Sequence, residues 1–180
     1  MKELPAIEGG KLTRNKDDIV IFGQPSLNNE DIQSVVEVLS GKNKWLSTGP
    51  KTAEFEEKFA QYQQVKHALG TNSCSSALIL SLLSLDLPEN SEVITTNMTF
   101  CATVNSIIHA KMKPVIVDCK PDCNIAPKKV EQAITPKTKA IVAVHLYGQP
   151  ADMDELLGTV TNRVLALAGF DINLFKWGEK

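Results

Sequence analysis

Three short segments, residues 92–96, 114–118 and 140–145, are rich in valine and isoleucine and do not alternate apolar with polar residues. A strand with that pattern is covered on both faces, which is the condition of a parallel sheet flanked by helices. Between them lie stretches of helical period, residues 101–110 and 127–134. Parallel strands need crossover connections of this length, so the chain is expected to build an α/β fold: a mainly parallel, open, wound sheet with helices on both faces. Upstream, residues 67–70 read as a further short strand, and residues 75–85 as a helix apolar on nearly all sides.

The first part of the chain reads differently. Residues 1–19 carry Gly9, Gly10 and scattered charges without period and are expected to form a loose N-terminal segment. Ile32, Val35, Val36 and Leu39 then fall at i, i+3, i+4, i+7, with Asn28 or Asn29 as N-cap and Gly41 as the stop, which predicts an amphipathic helix. Gly49-Pro50 opens a second, with Phe55, Phe59 and Tyr62 on one stripe and Pro50 in the first turn, where its missing N–H costs least. Residues 44–49, Lys-Trp-Leu-Ser-Thr-Gly, form the loop between them and present a tryptophan.

Nineteen basic and twenty-one acidic residues give a net charge of −2 with no block of lysine or arginine, so no nucleic-acid partner is expected. No apolar run approaches the roughly 20 residues of a membrane span, and the first residues resemble neither a secretory signal nor a presequence, so the expectation is a cytoplasmic protein without a membrane partner. Four cysteines in 180 residues are too sparse for a disulfide scaffold. The glycine fingerprints of dinucleotide and P-loop sites are absent from the strand-to-helix turns.

In an open parallel sheet, ligands bind beyond the carboxyl ends of the strands. The run Thr71-Asn72-Ser73-Cys74-Ser75-Ser76 opens directly into a helix, and its backbone N–H groups and hydroxyls make either a phosphate pocket or an ordinary helix cap. Phe100, at the next strand-to-helix turn, is either a stacking platform for a planar cofactor or plain packing. His145 ends another strand and reads as a hydrogen-bonded structural residue. Cys119-x3-Cys123 with His145 lacks a fourth ligand, so no metal site is expected.

Taken together, the segments Trp45-Leu46-Ser47-Thr48-Gly49-Pro50, Phe55-Glu56, Glu92-Val93-Ile94-Thr95, Thr99-Phe100-Cys101-Ala102-Thr103, Pro114-Val115-Ile116-Val117-Asp118 and His145-Leu146-Tyr147-Gly148-Gln149-Pro150-Ala151-Asp152-Met153 resemble the pyridoxal-phosphate-dependent sugar aminotransferases of the DegT/DnrJ/EryC1/StrS family. The resemblance runs from about Ile21 to Leu157 and implies the large domain of a fold-type I aminotransferase over residues 20–157, truncated, with a divergent tail at 158–180. It implies pyridoxal phosphate as cofactor and amino transfer from glutamate to a keto-sugar nucleotide. It also implies a homodimer whose subunits share the pocket, near the loop at residues 45–50.

Residue by residue, the family's phosphate turn falls on Ser73, Cys74 and Ser75, with Cys74 in place of a smaller residue and Ser75 as hydroxyl donor. The ring-stacking position falls on Phe100. The family's pyridine-pairing Asp segment and its Schiff-base Lys segment are not recognisable after Gly158; Asp171 and Lys176 stand nearest to those roles, and no catalytic residue is assigned. Two readings follow: an aminotransferase that is inactive alone, and a non-catalytic remnant that pairs with a full-length homologue.

Overall fold

The structure, a computed structural model, describes residues 4–14, 18, 23–42 and 45–167. The expectations for Ile21, Lys44, Asp171 and Lys176 lie outside the described residues. The chain divides into two units, residues 1–70 and 71–180.

In the first unit, a 3-10 turn (Ala6–Glu8) precedes α1 (Asn29–Ser40) and α2 (Pro50–Tyr62). Asn28 is the N-cap of α1: its side chain accepts the N–H groups of Glu30 and Asp31, while the Asp31 carboxylate takes the Asn28 N–H, a reciprocal capping box. Pro50 occupies the first turn of α2. A β-carbon at Gly49 would run into the Trp45 carbonyl, so the tight loop at residues 45–49 depends on that glycine. The apolar stripe of α1 remains exposed at Ile32, Val35, Val36 and Leu39.

The expected strand at residues 67–70 does not form: these residues are irregular and Leu69 is exposed. The backbone donor of Gly70 goes to the Glu56 carboxylate at 2.7 Å, a side-chain partner in place of a ladder partner.

The second unit holds α3 (Cys74–Leu83), β1 (Glu92–Thr96), α4 (Cys101–His109), β2 (Lys113–Val117), α5 (Pro127–Ala133), β3 (Thr138–Val142) and α6 (Met153–Leu167). The three strands form one parallel sheet in the order β2-β1-β3, with Ile94 opposite both Val115 and Ile141. All five residues of the central strand are buried. Alternation along the strands sends Ile94, Val117 and Ile141 into one cluster with Val130, Ile134 and Leu156, the face covered by α5 and α6. Val93, Ala140 and Val142 face the other way, onto Leu82 of α3 and Ile107 of α4.

Two expectations are corrected here. β3 stops at Val142 and not at His145: Thr95 is its last ladder partner, and the Thr95 hydroxyl donates to the Val142 carbonyl at 2.9 Å. Helix α3 ends at Leu83 and not at Leu85, and it buries Leu82 while Leu80 and Leu83 are about half exposed. No described helix is long and apolar enough to cross a membrane.

Candidate functional site

Helix α4 follows β1 after four residues, so its first turn stands at the carboxyl edge of the sheet. Placing α3 takes one more step. Leu82, near its C-terminal end, shares a cluster with Val93 at the start of β1, Met112 just before β2, and Ile107 and Ala110 at the end of α4. That cluster marks the amino edge, and Ser73 lies nine residues back along the helix, roughly 13 Å at 1.5 Å per residue. Ser73 and the first turn of α3 therefore point toward the same edge as Phe100.

At α3, Ser73 is extended (φ −161°, ψ 155°) and its Oγ accepts the Ser76 N–H at 3.1 Å. The Ser73 and Ser76 hydroxyls are 3.0 Å apart, and the Thr71 hydroxyl donates to the Ser73 carbonyl. The cap reading of this run is thus realised. It leaves the N–H groups of Cys74 and Ser75 without an acceptor among the described residues, as first-turn donors of a helix are. Ser73, Cys74 and Ser75 are exposed, so hydroxyl, thiol and both N–H groups border open space.

At α4, Phe100 is the N-cap and supplies no side-chain cap. Phe100 is 76 % exposed and so is not core packing among the described residues. The turn before it is held by Asn97, whose Nδ2 donates to Asp118 Oδ1 at 2.8 Å, and by a 2.8 Å contact between the Thr99 and Thr103 hydroxyls.

Beyond β2 and β3 the rim is built by two tight hairpins, bridged at Cys119–Ile125 and at Leu146–Gln149. Cys123 (φ 68°) and Tyr147 (φ 53°) take left-handed conformations at their tips. Asn124, fully buried, joins them: its Oδ1 accepts the Leu146 N–H at 3.3 Å and its Nδ2 donates to the carbonyls of Gln149 (3.3 Å) and Pro150 (3.2 Å). Its own N–H donates to Asp122 Oδ1, and this bond, ahead of the Lys120 ammonium, holds the Asp122 carboxyl below its ordinary pKa. Sequence reasoning missed Asn124; the only signal is the Asp-x-Asn turn pattern, which does not reveal a partner 25 residues away.

His145 stands on this rim with Nδ1 accepting the Ala151 N–H at 2.9 Å, so the neutral ring carries its proton on Nε2. That is a structural bond, as expected from the sequence. Away from this edge, an apolar groove of about 340 Å³ runs beside β3, lined by Ile141, Ala143, Met153, Leu156 and Val160. Its polar lining residues are Thr138 and Lys139.

The sequence matches the DegT/DnrJ/EryC1/StrS aminotransferase family over residues 25–167. It is 41 % identical over 155 residues to the spore coat polysaccharide biosynthesis protein SpsC of Bacillus subtilis, covering 86 % of this chain and 39 % of that protein. Among solved structures it is similar to Helicobacter pylori PseC, an aminotransferase involved in the biosynthesis of pseudoaminic acid, at a TM-score of 0.69 and 32 % identity, over 81 % of this chain and 38 % of PseC. It is also similar to Bacillus subtilis NtdA, solved with its cofactor PMP, at a TM-score of 0.68 and 29 % identity, over 81 % of this chain and 33 % of NtdA. The chain spans less than two fifths of the length of each of these relatives. A parallel α/β sheet with helices on both faces, matched along most of the chain in sequence and in structure, places this protein in the DegT/DnrJ/EryC1/StrS family of aminotransferases, with the fold-type I architecture.

Proposed function

We propose that this chain holds pyridoxal phosphate at the carboxyl edge of its sheet, as part of a site that transfers an amino group from glutamate to a keto-sugar nucleotide. The observation that carries the reading is the pair of unpartnered N–H groups at Cys74 and Ser75, on the same edge as the exposed ring of Phe100. The residues fit the group. A phosphate needs several converging donors and a favourable helix dipole, and the start of α3 offers two N–H groups and the Ser75 hydroxyl. Cys74 contributes its backbone, so its larger side chain does not remove a donor. A flat pyridine ring needs an apolar surface, and Phe100 offers one at low cost, since its ring is already turned to solvent.

When bound, the cofactor supplies the electron sink for amino transfer. This chain's part is binding and orientation: Ser75 and the α3 N–H groups fix the phosphate, and Phe100 fixes the tilt of the ring. No residue of the described edge is assigned the proton transfer. Turnover requires a lysine, and that role is not assigned to any of the described residues, so what is proposed for this chain is the binding and orientation of the cofactor.

Titration with pyridoxal phosphate and with pyridoxal tests the reading. Tighter binding of the phosphorylated form, weakened by Ser75→Ala and Phe100→Ala, supports it. Equal binding of both forms refutes the phosphate cradle.

A further inference from the structure

We propose that Asn97 and Asp118 are a positioning pair that fixes Phe100 for ring stacking, an inference that rests on the role given to Phe100 above. Asn97 is the first residue past β1, and its N–H still donates to the Val117 carbonyl at 2.9 Å, extending the sheet by one step. Its Nδ2 donates to Oδ1 of Asp118, the first residue past β2, at 2.8 Å. The main-chain bond and the side-chain bond together close a ring across the carboxyl ends of two adjacent strands.

The turn built on that ring is short. The Met98 N–H donates to the Thr96 hydroxyl at 3.3 Å, and the Thr103 N–H donates to the Phe100 carbonyl at 3.0 Å. The chain is thus tied before and after Phe100, while the ring itself is 76 % exposed and stacks on no other aromatic ring among the described residues. A free phenylalanine would gain by folding onto apolar surface, so an outward ring has to be held by its backbone. Phe100 is held extended (φ −69°, ψ 143°), and among the described residues the Asn97–Asp118 bond is the one side-chain tie from this turn to the end of β2. Both residues are exposed, so removing the bond empties no core space. That separates positioning from folding.

The experiment is a pyridoxal phosphate titration of the full chain and its Asn97→Ala, Asp118→Ala, Asp118→Asn, Phe100→Ala and Asn97→Ala/Phe100→Ala variants. Loss of an exposed hydrogen bond with a net contribution of about 1 kcal/mol predicts affinity weakened roughly fivefold in Asn97→Ala and in Asp118→Ala. Asp118→Asn keeps an acceptor oxygen and should stay within about twofold of the parent. In the Phe100→Ala background, Asn97→Ala should have no further effect, because the two act on one contact. A full additive loss there overturns the proposal, as does unchanged affinity in Asn97→Ala when Phe100→Ala alone weakens binding. A parent chain that binds no pyridoxal phosphate overturns both this proposal and the reading of Phe100. Amide hydrogen exchange without cofactor gives a second readout: Asn97→Ala should speed exchange at Met98 and Thr103 severalfold and leave Val93 to Thr95 unchanged. Unchanged exchange at Met98 and Thr103 overturns the proposal.

Discussion

Replacing Asn124 by alanine should destabilise the second unit by about 2 kcal/mol. The buried amide makes three bonds, to the Leu146 N–H and to the Gln149 and Pro150 carbonyls, at 3.2 to 3.3 Å. Each neutral bond contributes a net of about 0.5–1.5 kcal/mol, and lengths beyond the usual range put these at the low end. The three together come to about 1.5 kcal/mol, and a partly unsatisfied Leu146 N–H adds a few tenths more. At a urea slope of about 2 kcal/mol per molar, the midpoint should fall by about 1 M with the slope unchanged. Gln149→Ala is the control: Gln149 takes part through its backbone alone, so the variant should stay within about 0.5 kcal/mol of the parent. Asn124→Asp sharpens the test. The carboxylate keeps the Leu146 bond but turns an oxygen toward two carbonyls, so it should cost more than alanine at neutral pH. Its folded-state pKa would then lie above the unfolded value, and stability should recover as the pH falls through it. A loss below about 0.5 kcal/mol for Asn124→Ala, or an Asn124→Asp variant indifferent to pH, would refute the staple.

Other outcomes follow from the same contacts. The Glu92 carboxylate accepts the Thr135 hydroxyl at 2.6 Å and pairs with Lys113 at 3.2 Å, which hold its pKa below the ordinary 4.5 in that order. A lowered folded-state pKa gives stability that is full above the unfolded value and lost as the pH falls through the folded one, so the acid limb of a thermal-melt series should flatten in Glu92→Gln. Ser73→Ala removes the α3 cap and should cost about 1 kcal/mol in the same urea assay; no loss would show that the Ser73 bond to the Ser76 N–H contributes nothing. The exposed Ile32, Val35, Leu39 and Phe55 predict self-association at micromolar concentration, which light scattering showing a compact monomer would refute.

The sheet was legible because its signals are local. Val93-Ile94 and Val115-Ile116-Val117 announce strands buried on both faces, and Asn28 or Asn29 ahead of the apolar stripe announces the start of α1. The first turn of α3 was legible as a run of small hydroxyl residues, though not which N–H group Ser73 would take. What stayed hidden depends on partners far along the chain. Residues 67–70 form a short apolar run that reads as a strand, but Gly70 gives its N–H to Glu56, fourteen residues earlier. β3 ends at Val142, opposite Thr95 and one residue short of the end of β1, a limit no reading of residues 140–145 alone can supply. Asn124 and the Asn97–Asp118 bond join turns that become neighbours only when the sheet has formed.

The central claim is that the first turn of α3 and the ring of Phe100 hold one ligand between them. The most direct test is a titration of isotope-labelled protein with pyridoxal phosphate and with pyridoxal, read by NMR at individual residues. The account predicts amide shifts at Cys74 and Ser75 with the phosphorylated form only, and shifts of the Phe100 ring protons with the same midpoint. Shifts that leave Cys74 and Ser75 unmoved, or a Phe100 response with a different midpoint, would contradict it.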